Sequence, residues 1–486
     1  MSGYTGKILR VNLTTRTTST EALNRDEALK FLGGRGYGTK LYMDEVDPTI
    51  DPLSPKNKIV IITGPLTGTN APTSAPYMVV TKSPLSGTIA SSNSGGHWGP
   101  ELKFAGYDAI ILEGKASAPV YMNIADDKVE ILDASHLWGK VVSETTGSLE
   151  KIHGAKAKVL SIGPAGENLS KMAAIMNDRY RAAGRSGVGA VMGSKNLKAI
   201  VVKGSKPIAT ANPDKLKEVV SSCLKKIKEN GVTGQGLPKF GTAVLVNIIN
   251  ENGAFPTNNF QKAQFPFAEA ISGETLAEKY LTKKDVCYRC PIACGRFCEV
   301  DDVKGGGPEY ETIWAFGADC GVSNLPDIIK ANYWCNEIGV DTISAGSTIA
   351  AAMELYQRGL IKKEELKGGP ELTFGNSAAV VYWAKAMADK DGLGAKLALG
   401  SYRLGELYGA PEVSMSVKKL EIPAYDPRGI QGQGLQYATS NRGGCHVRGY
   451  MISPEILGSP QKLDRFSLEG KAGWTKIFQD LTASID

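Results

Sequence analysis

The first 205 residues alternate short β-branched segments with Gly, Pro, Asn and Ser, and this limits the fold more than any other feature. The segments that read as strands are KILRVNL, KIVIITG, YMVVTKS, DAIILEG, VYMNIADDKVEIL, KVLSIG and LKAIVVKG. Such runs, bounded by turn residues, are typical of strands. We therefore predict a β-rich N-terminal domain whose sheets are covered by a few helices.

The sequence pattern changes from strand-like to helical near residue 210, within the proline-containing segment SKPIATANPDK at 205–215. The following stretches DKLKEVVSSCLKKIKEN and DIIKANYWCNEIG have helical periods. The fold class predicted is therefore α+β, with a sheet domain followed by mostly helical domains. We predict a β-rich domain at 1–210, a helical domain at 211–415 and a third, mostly helical domain from 416 to 486.

Composition excludes several classes of protein. The 486 residues include 56 Lys and Arg against 50 Asp and Glu, without long runs of like charge, which argues against a nucleic-acid surface. The mild positive excess would suit a small acidic partner protein. We find neither an N-terminal signal segment nor a long apolar span, so we expect a cytoplasmic protein without a membrane partner.

Four cysteines lie in one short segment, CYRCPIACGRFC at 287–298, with the spacing C-x2-C-x3-C-x3-C. Short spacers of this kind let three thiolates face one [4Fe–4S] cluster, and we predict Cys287, Cys290 and Cys294 as its ligands. Zinc is the alternative, but structural zinc sites pair two cysteine knuckles or add two histidines, and no second knuckle is present. Spacing alone does not decide whether Cys298 or a distant cysteine is the fourth ligand.

Glycine is abundant, and it clusters in GGRGYG, SNSGGHWG, AAGRSGVGAVMG and NRGGCHVRG. Clusters like these let backbone N–H groups approach a phosphate closely. Tight turns between strands are the simpler interpretation of any one of them.

Longer segments carry a resemblance to a known family. The segments GPEYETIWAFG, CNEIGVDTIS, KKLEIPAYDPRG and NRGGCHVRGYMISPEILG, together with the cysteine loop and the glycine-rich N-terminal segments, resemble the aldehyde:ferredoxin oxidoreductase family across the whole chain. The resemblance implies an N-terminal β-domain of two sheets that forms a base for two pyranopterins, capped by helical domains. It also implies oxidation of aldehydes to carboxylates at tungsten, or molybdenum, with electrons passing through a [4Fe–4S] cluster to ferredoxin or a related small protein.

The resemblance assigns the site residues by position. Glu311 would be the general acid/base, with a pKa raised by burial, and His446 would polarise the carbonyl; Glu309 is the acid most easily confused with Glu311. Phosphates and a bridging Mg²⁺ would be held at Asn93, Gly95 and Ala183. Pterin contacts would come from Asn336, Val340, Asp341, Val447, Arg448 and Asp486.

Asp486 would open the family's D-x-x-G-L-C motif, whose cysteine is the fourth cluster ligand. We therefore expect the sequence to lack part of the third domain, with the fourth ligand beyond residue 486 and Cys298 as the alternative.

Two departures weaken the transfer of family roles. Pro76 stands where a relative has an arginine that reaches the cofactor. Lys330 and Tyr333 replace an E-x-x-H pair that binds an interface metal in some members, so we expect no metal-bridged dimer, whereas other homo-oligomers stay open.

Two other functions stay open. One is the branch of the family that reduces aromatic coenzyme A thioesters within a larger complex. The other is a non-catalytic scaffold or electron-transfer subunit. The matches at Glu311 and His446 favour aldehyde oxidation.

Overall fold

A computed structural model describes residues 2–485, so the predicted pterin contact Asp486 lies outside the described residues. The N-terminal half contains twelve strands, β1 (Lys7–Asn12), β2 (Thr17–Ala22), β3 (Ile59–Thr63), β4 (Tyr77–Lys82), β5 (Ile89–Ser94), β6 (Ala109–Glu113), β7 (Val120–Ala125), β8 (Lys128–Asp133), β9 (Lys158–Ser161), β10 (Ile175–Asn177), β11 (Arg181–Ala183) and β12 (Leu197–Lys203). Its helices are α1 (Arg25–Phe31), α2 (Gly34–Glu45), α3 (Trp98–Ala105), α4 (Val142–His153), α5 (Pro164–Glu167) and α6 (Val188–Ser194).

These strands form two six-stranded sheets, in the orders β2-β1-β6-β3-β4-β5 and β11-β10-β9-β12-β7-β8. Most neighbours are antiparallel, and the β1–β6 and β7–β12 pairs are parallel. Apolar residues of both sheets share one core, in which Trp98 of α3 is completely buried. The α+β class and the two-sheet N-terminal half are confirmed.

The second half is mostly helical. Its helices are α7 (Pro213–Glu229), α8 (Leu237–Phe240), α9 (Leu245–Glu251), α10 (Gly273–Lys279), α11 (Tyr310–Phe316), α12 (Leu325–Ile338), α13 (Thr342–Gln357), α14 (Ser377–Ala386), α15 (Gly392–Leu397), α16 (Ser401–Leu407), α17 (Gln431–Thr439) and α18 (Lys471–Ile485). Its strands are β13 (Leu281–Asp285), β14 (Gly295–Val300), β15 (Val303–Gly306), β16 (Ser416–Val417) and β17 (Leu420–Glu421).

Local signals explain where the helices of this half begin and end. Asn212 caps α7 and Asn324 caps α12, each with its side-chain oxygen accepting a backbone N–H, and a proline follows at the first helical position of α7 and at the second of α12. Helix α12 ends at Gly339, which takes the left-handed conformation at φ 74°, as the NEIGVD segment predicts for a glycine C-cap.

One buried core joins these helices, and it includes residues on both sides of position 415. The three-domain division therefore stays a prediction. Among residues 2–485, the helices fall short of the length and apolarity that crossing a bilayer requires.

Candidate active site

The cysteine segment forms the loop of a β-hairpin. Strands β13 and β14 pair with Asp285 opposite Gly295, so that Cys287, Cys290 and Cys294 all lie in the connection. Gly95 of the sheet half lies directly beneath the loop, because a Cβ there would be 3.0 Å from the Cys287 sulfur. The Tyr288 amide donates to the Gly96 carbonyl at 3.0 Å, which fastens the loop to the sheet half.

The three loop sulfurs are close enough to interact electrostatically with one another. Within residues 2–485, no three His, Cys, Asp or Glu side chains converge on a point that would hold a single metal ion. Tetrahedral zinc requires such convergence, whereas the cysteines of a cubane bind separate iron atoms.

Cys298 has a different environment, on β14 rather than in the loop. It is 1% exposed, and its sulfur packs against Gly307, where a Cβ would lie only 2.4 Å away. Burial raises the pKa of this thiol to about 12. A rearrangement of the strand would be needed to bring this sulfur to the loop.

A cavity of about 280 Å³ lies between the sheet half and the helical half. Five predicted cofactor residues line it, namely Asn93, Gly95, Asn336, Val340 and Asp341. Ala183 is buried at the end of β11, between the lining residues Ala182 and Gly184. The cavity thus brings together positions more than 240 residues apart in sequence.

Asp341 has two structural tasks at the cavity wall. Its carboxylate caps α13 by accepting the Ile343 and Ser344 amides, and it also pairs with the Arg185 Nε at 3.2 Å. Arg185 donates further to the carbonyl oxygens of Gly444 and Glu421, at 2.6 and 2.7 Å. One buried guanidinium therefore connects the sheet half to three segments of the helical half.

Arg448 and Pro76 line other cavities. Arg448 borders one of about 330 Å³ together with Arg35, and its Nη2 donates to the Ser91 hydroxyl at 2.8 Å. Pro76 borders one of about 390 Å³ beside Asn93 and Ile485. Val447 is half-buried in the same turn as Arg448. The predicted pterin contacts therefore fall on more than one cavity.

Glu311 and His446 face each other across the interior. Glu311 is on α11 and its Oε1 lies 3.6 Å from the His446 Nδ1, with side chains 13% and 17% exposed. The other carboxyl oxygen, Oε2, accepts the Ala424 amide at 3.0 Å. Neither Oε1 nor Nδ1 has a hydrogen-bond partner within residues 2–485, although both atoms are buried.

The electrostatics make this a neutral pair near pH 7. Burial raises the pKa of Glu311 to about 8, the direction expected from the sequence. Burial and the neighbouring Arg185, Arg442 and Arg448 lower the pKa of His446 to about 3. The carboxylic acid can thus exchange a proton near neutrality, whereas the imidazole stays uncharged and keeps one N–H donor.

Aromatic rings close one side of this pair. Tyr425 and Tyr450 flank the imidazole at ring distances of 5.8 and 6.5 Å. Their hydroxyl groups lie 3.4 Å apart. Sequence reasoning missed both tyrosines and also Arg185 and Arg442, although both arginines occur in glycine-rich segments, a signal that could have singled them out.

Comparisons with known proteins identify the family of this chain. Profiles described as "Aldehyde ferredoxin oxidoreductase, N-terminal domain" and "Aldehyde ferredoxin oxidoreductase, domains 2 & 3" match residues 8–204 and 218–486. The chain belongs to the aldehyde ferredoxin oxidoreductase family.

Individual members of the family match all or most of this chain. It is 56% identical to the tungsten-containing aldehyde ferredoxin oxidoreductase of Pyrococcus furiosus, over 100% of this chain and 81% of the relative. It is 55% identical to the protein of that name from Thermococcus kodakarensis, with the same coverage. The aliphatic sulfonate oxidoreductase WOR-like subunit of Pyrococcus furiosus is 34% identical over 92% of this chain and 75% of the relative.

A solved structure is also similar in fold. It is the active-site complex BamBC of benzoyl coenzyme A reductase with 1,5-dienoyl-CoA, at a TM-score of 0.82 and 29% identity. The match covers 98% of this chain and 76% of that chain.

Proposed function

We propose that this protein oxidises aldehydes to carboxylic acids at a tungsten bis-pyranopterin bound between its two halves. Electrons would leave through a [4Fe–4S] cluster to ferredoxin or a related small electron-transfer protein. The observation that carries the proposal is the Glu311–His446 pair, whose facing atoms are 3.6 Å apart, buried and without hydrogen-bond partners within residues 2–485. Buried polar atoms are rarely left without partners, so these two indicate a site for a reactant.

The residues present fit the implied cofactor. A pterin offers ring donors and acceptors together with a phosphate, and the 280 Å³ cavity presents Asn93, Asn336 and Asp341 beside the exposed backbone of Gly95 and Gly184. We propose that Asn93, Gly95 and Ala183 hold the phosphates and a bridging Mg²⁺. Asn336, Val340, Asp341, Val447 and Arg448 would contact the pterins. When bound, the tungsten centre would supply the two-electron acceptor for the aldehyde.

Protein groups would handle the proton and the carbonyl. Conversion of the aldehyde to the acid takes up one oxygen from water and releases two electrons and two protons. Glu311 is fixed by the Ala424 amide and would accept one of these protons. The neutral His446 would donate its N–H to the carbonyl oxygen, which increases the polarity of the C=O bond. Burial strengthens both interactions, since the pair lies in a region of low dielectric constant.

The electron path would begin at the loop. Cys287, Cys290 and Cys294 would bind three irons of the cluster, and Gly95 lies between the loop and the pterin cavity. The fourth ligand stays a prediction, because Asp486 lies outside the described residues and Cys298 is packed in the core.

Two broader proposals concern assembly and location. Lys330 pairs with Asp301 at 2.7 Å, and the Tyr333 ring contacts Trp334 at 5.5 Å. Lys330 and Tyr333 are not a typical pair of metal ligands, so we propose that any homo-oligomer forms without an interface metal at these positions. All eight cysteines are free, which supports a reducing compartment such as the cytoplasm.

The test is anaerobic purification, followed by metal analysis and by assays of aldehyde-dependent ferredoxin reduction. We expect about four irons and one tungsten for each chain. We also expect turnover of aldehydes and none of benzoyl-CoA. Turnover of the thioester alone would favour the second branch of the family, and a protein with metals but no turnover of either substrate would contradict the proposal.

A further inference from the structure

The turn that carries His446 contains a cysteine with no part in the mechanism described above. Cys445 is 0% exposed and packs with Leu85 and Leu420. Its sulfur accepts a hydrogen bond from the Arg442 Nη1 at 3.5 Å. The sulfur therefore joins the residue next to His446 to the start of the turn.

Arg442 is a buried cation that lacks a carboxylate partner in the described part of the chain. It is 2% exposed, and its Nε donates to the Ser186 hydroxyl at 3.0 Å. No Asp or Glu oxygen within residues 2–485 forms an ion pair with it, in contrast to Arg185, which has Asp341. A buried charge without a counter-charge is costly, so Arg442 requires a negative group, and the Cys445 sulfur is the candidate in contact.

We propose that Cys445 is a positioning residue, a thiolate paired with Arg442 that fixes the turn so that His446 faces Glu311. The pair gives Arg442 a counter-charge in direct contact. The role of His446 rests on the proposed function, whereas the ion pair itself does not.

The electrostatics of the turn agree with this assignment. Burial alone would raise the pKa of the Cys445 thiol, but Arg442, Arg448 and Arg185 bring that pKa below its ordinary value. The sulfur also helps to raise the pKa of Glu311, after the larger effect of burial. Its charge therefore acts on Glu311.

Infrared absorption of the S–H bond tests the charge state without any assay of activity. A thiolate has no S–H stretch, so Cys445→Ser should leave the absorption of the holoenzyme unchanged. The matched control is Cys335→Ser, because Cys335 is equally buried and burial raises its pKa; this variant should lose one S–H contribution. Preparations are matched for iron content, so that the loop cysteines contribute equally.

A second variant keeps the proposal testable if Cys445→Ser does not fold. Arg442→Gln removes the cation, so the Cys445 sulfur should take up a proton and an S–H contribution should appear. Loss of S–H absorption in Cys445→Ser, or no gain in a folded Arg442→Gln protein, would overturn the ion pair.

Kinetics test the positioning role separately. Cys445→Ala should lower kcat by about 10- to 100-fold, since misplacing a catalytic group by about 1 Å can cost that much. The KM for the aldehyde and the iron and tungsten contents should change little, Cys445→Ser should recover part of kcat, and Cys335→Ala should keep kcat. An unchanged kcat in Cys445→Ala would refute the positioning role. If the wild-type protein oxidises no aldehyde, the proposed function fails, and the infrared comparison still decides the ion pair.

Discussion

Replacing Glu311 by Gln should abolish most of the activity and at the same time stabilise the protein. Gln keeps the shape of the side chain and an oxygen for the Ala424 amide, but it cannot accept a proton. General acid–base groups typically contribute about 10²- to 10⁴-fold to a rate, so kcat should fall by that factor with the metal content unchanged.

The pH profile of the wild-type enzyme is a second test of the role of Glu311. With a pKa of about 8, roughly one-tenth of Glu311 is ionised at pH 7 and roughly nine-tenths at pH 9. If the ionised carboxylate accepts the proton, kcat should rise about 10-fold across this range. His446, with a pKa of about 3, stays neutral throughout and adds no second step.

The stability effect follows from the same shift. The folded state holds the Glu311 proton more tightly than the unfolded chain, whose ordinary pKa is 4.5, so stability is lost as pH rises from 4.5 to about 8. At pH 7 the loss amounts to about 3 kcal/mol, at about 1.4 kcal/mol for each pH unit. Glu311→Gln should recover that stability at pH 7 and little of it near pH 4.5.

The assays are aldehyde-dependent ferredoxin reduction from pH 6 to 9 and denaturant unfolding at pH 4.5 and 7. The matched control is Glu309→Gln, whose side chain is 42% exposed and accepts the Thr242 hydroxyl. That variant should keep the pH profile and gain no stability at pH 7. A Glu311→Gln enzyme with more than one-tenth of the wild-type kcat, or with no gain in stability at pH 7, would show that the reasoning about this carboxyl is wrong.

Three further substitutions test other parts of the structure. Asp319→Asn should stabilise the protein increasingly as pH rises from 3.8 to about 8, because burial raises the pKa of this fully buried carboxyl to about 8. Denaturant unfolding at pH 4 and pH 8 measures this, and an equal gain in stability at both pH values would contradict it. Cys287→Ser should lower the iron content measured by elemental analysis. Cys298→Ser should keep the iron and cost roughly 1 kcal/mol of stability. Equal loss of iron in both variants would place Cys298 in the cluster. Arg185→Gln should cost about 3 to 5 kcal/mol in denaturant unfolding, since it leaves the Asp341 carboxylate buried without its cation, and a cost below about 1 kcal/mol would refute that accounting.

Local pattern was sufficient for some of the elements. The segment KIVIITG contains β3, and DKLKEVVSSCLKKIKEN coincides with α7, because strand and helix periodicity are both local properties of the chain. The glycine C-cap at Gly339 was equally local, since only its own backbone angle matters.

The surroundings of Glu311 and His446 were beyond such reasoning. Arg442 contacts Ser186 across 256 positions of sequence, and Arg185 reaches Gly444 across 259. No periodicity relates residues so far apart, because their meeting depends on how the two halves pack. The family resemblance supplied Glu311 and His446, but the burial that determines their pKa values required the fold.

The contacts of Arg185 have a consequence for how the enzyme is made. The 280 Å³ cavity is lined from both sides, by 93–95 and 181–184 in the sheet half and by 336–342 in the helical half. Since Arg185 joins these segments when they dock, no single stretch of newly synthesised chain contains the finished cavity. Any ligand of the finished cavity therefore contacts both halves, and its binding should stabilise them against separation.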